Sequence, residues 1–105
     1  MVKQREADKE AVLKDILQQK GVTAYGIEAK AGGRSIPDQL CITKTGEIFL
    51  LEVKDGADYS PLQVYNLKRI KKAWSVDFKT GKPVYYCHKT NREVDLDYIL
   101  SIVGE

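Results

Sequence analysis

The chain has 105 residues, 43% hydrophobic and 30% charged, with a formal net charge of +2. That length carries one domain with one core, residues 1–105, and the hydrophobic content excludes a disordered chain. No apolar run reaches the length of a membrane span and the opening MVKQREADKE is charged, so the expected location is cytoplasmic. Cys41 and Cys87 are the only cysteines and each lies in a strand-like segment, so both read as reduced thiols. No zinc-type Cys/His spacing occurs. His88, the sole histidine, reads as a strand-end residue near the surface rather than a catalytic base.

Residues 5–20 place Val12, Leu13, Ile16 and Leu17 at helical spacing with Gly21 as a stop, which predicts an amphipathic helix. TAYGIEAK reads as a strand and AGGRSIPD as a glycine-rich turn. QLCITKTGEIFLLEVK reads as two strands around a Lys-Thr-Gly turn. In the second of these, Phe49, Leu51 and Val53 alternate with Ile48, Leu50, Glu52 and Lys54, so two charges end an apolar row. ADYSPLQ predicts a second helix with Ser60 at the N-cap, Pro61 at the first helical position and Gln63 closing a capping box. The helical pattern runs on through Leu67, Ile70 and Trp74, with Lys68, Arg69, Lys71 and Lys72 largely on the opposite face. KPVYYCHK predicts one more strand and VDLDYILSIV a closing helix capped by Asp95. The expected order is α-β-β-β-α-β-α, an α/β fold with a mixed sheet flanked by helices.

The short turn places Asp38 either directly opposite Glu52, if the loop has three residues, or diagonal to it, if it has two. Two neighbouring carboxylates repel, and a cation between them removes the conflict. Magnesium accepts such hard oxygen ligands and keeps open water positions for a phosphate. Lys54, on the same face, is placed to orient an attacking water and to stabilise charge on a phosphorane-like transition state. The stretch from Lys68 to Lys82 is locally basic, which suits a polyanion.

SIPD followed thirteen residues later by EVK resembles the PD-(D/E)xK nuclease motif. The glycine-rich stretch before Pro37-Asp38 and SPLQ after the strand resemble the virus-type replication-repair nuclease (VRR-NUC) domain, a family that also occurs as stand-alone phage-encoded proteins. EAVLKDILQQKG is similar to the first helix of archaeal Holliday-junction resolvases. The resemblance spans the chain from about Glu10 to the last predicted strand. It implies a restriction-endonuclease-like fold and a structure-selective DNA endonuclease dependent on Mg2+, with Mn2+ as a substitute. Asp38 and Glu52 would be metal ligands, the Val53 backbone carbonyl a third, and Glu10 a further ligand directly or through water. Lys54 would be the catalytic lysine, with Gln63 oriented towards the site. Lys30 and Arg34, and Lys68 and Lys72 on the basic helix, are the candidate DNA contacts.

Each assignment has a plainer counterpart. Gln63 is also explained as a capping residue, Glu6 competes with Glu10, and the basic residues also suit a solvated surface. The chain departs from the family at Gln39, where an apolar strand residue is usual, and at Asp55 and Asp58, two extra acids beside the motif. Symmetric cutting of a four-way junction needs two sites related by a twofold axis, so the resemblance implies a homodimer. Tyr85, Tyr86 and Tyr98 or the basic helix are alternative contact surfaces. The competing function is a DNA-binding module without chemistry, although two acids beside phosphate weaken its attraction.

Overall fold

Helix α1, Arg5–Gln19, buries one stripe: Leu13 and Leu17 are fully buried, whereas Val12 is exposed. Gly21 ends it at φ +79°, the left-handed conformation of a helix stop. The computed structural model of the chain describes residues 5–27, 36–54, 59–78 and 81–104, with side chains from residue 9 onward. The remaining elements are β1 (Thr23–Gly26), β2 (Gln39–Ile42), β3 (Ile48–Lys54), α2 (Pro61–Arg69), β4 (Ala73–Asp77), β5 (Val84–Cys87), β6 (Arg92–Val94) and α3 (Leu96–Val103). Among the described residues no helix is long and apolar enough to cross a membrane.

The strands form one mixed sheet in the order β1-β2-β3-β4-β5-β6. All neighbours are antiparallel except β3 and β4, which are parallel and joined by α2. A parallel pair needs such a crossover because the chain must return to the starting edge. Alternation sorts the side chains. Cys41, Phe49, Leu51, Val53, Trp74, Val76 and Tyr85 form the core with Leu13 and Leu17 of α1 and Leu96, Ile99 and Val103 of α3. The other face carries Glu52, Lys54, Ser75 and Tyr86 and receives α2.

Three expectations are corrected here. Helix α2 stops at Arg69 instead of running to Trp74, because Ile70 turns extended (ψ 126°) and AWSVD becomes β4, buried along four of its five residues. Trp74 packs edge-on against Phe49, with ring centroids 6.1 Å apart, so burial against β3 and β5 overrides a helical spacing. Strand β6 is an addition: three residues with no apolar alternation, recruited by pairing to β5. The observed order is α-β-β-β-α-β-β-β-α. Tyr85 is 5% exposed and belongs to the core, so it offers no surface for a subunit contact, whereas Tyr98 is exposed.

Both cysteines are free, Cys41 buried and Cys87 half-buried. Burial, reinforced by the Asp38 carboxylate, pushes the Cys41 thiol up to about 12, which keeps it protonated and inert. Leu51 sits at the centre of the core with no exposure. Leu51→Ala is expected to cost about 2–5 kcal/mol in urea unfolding, the range for emptying a fully packed leucine site.

Candidate functional site

The loop between β2 and β3 has three residues, Lys44 to Gly46, with Gly46 at φ +92°. The ladder runs from Ile42↔Ile48 to Gln39↔Leu51, and continuing it sets Asp38 opposite Glu52 and Pro37 opposite Val53. Hydrogen-bonded pairs alternate along an antiparallel ladder, and the bond from Thr43 N–H to the Glu47 carbonyl identifies the odd-numbered set. Position 37 should therefore give its N–H to the Val53 carbonyl, but proline has none. The Val53 N–H in turn bonds the Asp38 carboxylate, 3.1 Å from its Oδ1. Pro37 thus leaves the Val53 carbonyl without its ladder donor, while Asp38 is held at the mouth of the hairpin.

Glu52 is 8% exposed and Lys54 half-buried on the face that receives α2. Gln63 joins them. Its Oε1 accepts from Lys54 Nζ at 3.0 Å, and its Nε2 donates to Glu52 Oε2 at 3.3 Å. The same Oε1 accepts from Ser60 N–H at 2.9 Å, and Ser60 Oγ accepts from Gln63 N–H at 3.1 Å. The capping box and the site contact are therefore one arrangement, made compatible by the two lone pairs of the amide oxygen. Lys54 Nζ also stands 4.9 Å from the centroid of the Tyr59 ring.

Below this ring lies a network that the linear pattern does not signal. Tyr59 donates from its hydroxyl to Ser75 Oγ, and Ser75 Oγ meets His88 Nε2, both at 2.9 Å. The Ser75 hydroxyl has two lone pairs beside its proton, so it can take the Tyr59 hydrogen bond and pair with Nε2 of either neutral tautomer of the ring. His88 is 6% exposed, between the rings of Tyr59 and Tyr86. This corrects the expectation of a surface histidine: the turn after β5 folds it back over Ser75. Burial holds its basicity below the usual range, and Lys68 and Lys89 lower it further. Burial raises the Tyr59 phenol, and Asp77 and Glu52 add to that.

The other candidates divide. Glu10 lines an open groove of about 480 Å³ together with Gly26, Ile27, Asp38 and Gln39, so α1 presents it beside the hairpin. Lys30, Arg34, Asp55 and Asp58 lie outside the described residues, as does the side chain of Glu6. Lys68 is exposed near the C-terminal end of α2. Lys72 is not on a helix: it lies in the turn before β4, where its Nζ donates to the Val103 carbonyl at the end of α3. Its own carbonyl receives the Leu50 N–H, four residues before Lys54 on β3, which puts it roughly 13 Å from the site at ~3.3 Å per strand residue. Lys72 thus caps α3 from the far end of β3, away from Lys54. In the sequence Gln39 stands out only as a departure from an apolar pattern. It is 1% exposed and its Oε1 finds no donor among the described residues, an arrangement costing about 1–3 kcal/mol.

Two carboxylates and a backbone carbonyl are hard oxygen donors. Among the described residues no three His, Cys, Asp or Glu side chains form a metal-holding cluster. Magnesium uses one or two carboxylates, keeps several waters and takes further oxygens from phosphate, so the set from Asp38, Glu52 and Val53 fits it. Compared with known proteins, the chain matches no family model, no curated protein and no solved structure.

The buried neutral histidine links stability to pH. Its folded-state basicity is below that of the unfolded chain, so on acidification below about 6.5 the unfolded state takes up the proton first and stability falls; above that pH the penalty vanishes. Thermal unfolding at pH about 7.5 and about 5.5 should show this loss, and His88→Gln should reduce it. An equal loss in the variant would assign the acid sensitivity to other groups.

Proposed function

We propose that this chain is a metal-dependent DNA endonuclease of the PD-(D/E)xK kind, with a restriction-endonuclease-like fold, hydrolysing phosphodiester bonds in branched DNA as a homodimer. The observation that carries the reading is the chain Glu52–Gln63–Lys54 at the end of β3 where the register sets Asp38 across from Glu52. The succession α1-β1-β2-β3-α2-β4, with antiparallel β1, β2 and β3 and a helical crossover to parallel β4, supports the fold assignment. A divalent cation held by Asp38, Glu52 and the Val53 carbonyl would polarise the phosphoryl oxygen and acidify a bound water.

The chain's own groups have distinct tasks. The bond from Val53 N–H to Oδ1 fixes the Asp38 carboxylate. Gln63 and the Tyr59 face hold the Lys54 ammonium beside Glu52, where it donates to the phosphoryl group as negative charge develops. Pre-positioned donors of this type stabilise a transition state without reorganising. Glu10 enters from α1 on the groove side. Lys30, Arg34 and Lys68 are the proposed phosphate contacts, which position the duplex without reading its bases.

Labelled four-way junction, flap, duplex and single-stranded DNA, incubated with Mg2+, Mn2+ or EDTA, test the reading. Metal-dependent cutting is expected, and Lys54→Ala should lower its rate on the order of 10²–10³-fold, the cost of deleting one such donor. Paired symmetric nicks in the junction would support the homodimer. Failure to cut any substrate, with junction binding intact, would replace the enzyme by a DNA-binding module.

Gln63→Glu separates the two tasks of that residue. A glutamate preserves the capping box and the acceptor for Lys54, but removes the donor to Glu52 and adds a repelling carboxylate. Cleavage should fall by roughly tenfold or more while the helix cap costs less than about 1 kcal/mol. Unchanged cleavage would leave Gln63 a cap alone.

A further inference from the structure

Cys41, Phe49, Leu51 and Val53 fill the core from one face of β2 and β3, with α1 and α3 packed against them. The opposite face of these strands is apolar as well. The register sets Tyr25, Leu40 and Leu50 in one row across it, and Thr23, Ile42 and Ile48 in the next. An antiparallel sheet with one face in water ordinarily carries polar residues at these alternate positions, yet only Thr23 here lacks a large apolar group. Tyr25 and Ile48 are each 52% exposed, and Leu40, Ile42 and Leu50 are half-buried. Helix α2 lies on this side of the sheet, but it packs on β4 and meets β3 where Gln63 reaches Glu52 and Lys54. The bare floor is therefore beside the helix.

The helix adds a wall to that floor. The Lys68 charge bears on His88 in the turn after β5, so this flank of α2 faces β5. With about 3.6 residues per turn, Leu62, Tyr65 and Arg69 fall on the other flank, towards β2. Leu62 is 48% and Tyr65 58% exposed, and the Arg69 guanidinium lies 5.4 Å from the centroid of the Tyr65 ring. Segments 28–35, 55–58 and 79–80, outside the described residues, contain no apolar residue larger than alanine and so supply no cover for the floor. Tyr25, Ile48, Leu62 and Tyr65 are each about half bare, which leaves on the order of 400 Å² of apolar surface per copy at ~200 Å² for each side chain. A patch of that size marks an interaction site. In a twofold pair these four residues bury about 800 Å² together, and Leu40, Ile42 and Leu50 bring the contact to the ~1,000 Å² that a specific interface needs.

We propose that this stepped apolar face is where two copies of the chain meet, with Tyr65 on α2 of each copy seated on the floor around Ile48 of the other. This contact rests on the homodimer reading, under which two sites cut one junction, and not on the metal chemistry. A twofold axis requires a surface that is its own complement. A raised helix beside a bare stretch of sheet meets that requirement, because α2 of one copy fills the step that α2 of the other leaves open. The floor offers no cation to a phosphate and no charge to a charged partner, which excludes nucleic acid and suits a second apolar surface like itself. Gln63 ties α2 to Glu52 and Lys54, so the pair carries one site on each side of the axis.

Sedimentation equilibrium of the protein without metal or DNA tests this, with circular dichroism to follow folding. Wild type is compared with Ile48→Lys, Tyr65→Asp, an equimolar mixture of these two variants, and Tyr98→Asp on α3. Wild type should be a dimer at micromolar concentration. Ile48→Lys and Tyr65→Asp each put a charge into an apolar contact, and each should be a folded monomer, its dissociation constant raised on the order of 10²-fold or more. In the mixture the new aspartate of one copy meets the new lysine of the other, while the remaining Tyr65 meets the remaining Ile48, so a heterodimer should form. Tyr98→Asp should stay dimeric. Dimers in both single variants, a mixture that stays monomeric, or loss of the dimer in Tyr98→Asp would overturn this inference and leave the homodimer reading standing. Unfolding of Ile48→Lys or Tyr65→Asp would show that the side chain serves the fold, and would overturn it too. A wild type that is monomeric even with a four-way junction present would overturn the homodimer reading and this inference together. Failure of the nuclease reading shows separately, as a protein that dimerises and cuts nothing.

Discussion

The register of one hairpin governs the candidate site. A three-residue loop needs a left-handed residue to close onto twisted strands, and Gly46 supplies it at φ +92°. Thr43 and Thr45 both donate to the Glu47 carboxylate and hold its pKa below the usual carboxylate range, which ties the turn to its own strand. Since side chains alternate with a period of two, a slip of one residue would exchange the core and site faces of β3. Phe49, Leu51 and Val53 would leave the core, so the hydrophobic effect enforces the pairing that also sets Asp38 across from Glu52.

From that register the remaining geometry follows through backbone chemistry. Pro37 withholds a ladder donor from Val53, and Asp38 supplies the acceptor that Val53 N–H requires. The parallel neighbour β4 brings Ser75 beside Glu52, and the crossover returns α2 with its first turn over the site end of β3. Gln63 then serves helix initiation and side-chain positioning with the same amide. Loss of this residue acts on stability and on the site at once, which makes the conservative substitution more informative than deletion.

Beneath the Lys54 ammonium the protein keeps a neutral hydrogen-bonded chain, Tyr59 to Ser75 to His88. Placing a cation over the Tyr59 face, and not beside a protonated imidazole, avoids a like-charge contact in a poorly solvated region. The basic residues that read as one helical face serve separate ends. Lys72 caps α3, whereas Arg69 stays on α2 and donates to the Asn66 amide oxygen. Outside that set, Lys89 in the turn after β5 donates to the Leu67 carbonyl in the last turn of α2, one of the carbonyls that a helix leaves unpaired.

Much of this was legible locally. The capping box, the hairpin and its facing acids, the β3 alternation and the Asp95 cap follow from rules whose partners lie within a few residues, or across one short turn, and they stand as read. The segment from Ile70 to Asp77 shows the opposite case. Its spacing suits a helix, yet Trp74 and Val76 become a central strand because β3 and β5 offer burial on both sides. Strand β6 exists only through its pairing with β5. The burial of His88 and of Gln39, and the meeting of Glu10 with Asp38 across a groove, likewise depend on contacts between elements distant along the chain. The sequence by itself determined the turns, the caps and the pair of acids, since these are local backbone chemistry. Only tertiary packing decided which ambiguous segments became strands and which polar groups were buried, since that free energy comes from surfaces the linear pattern does not bring together.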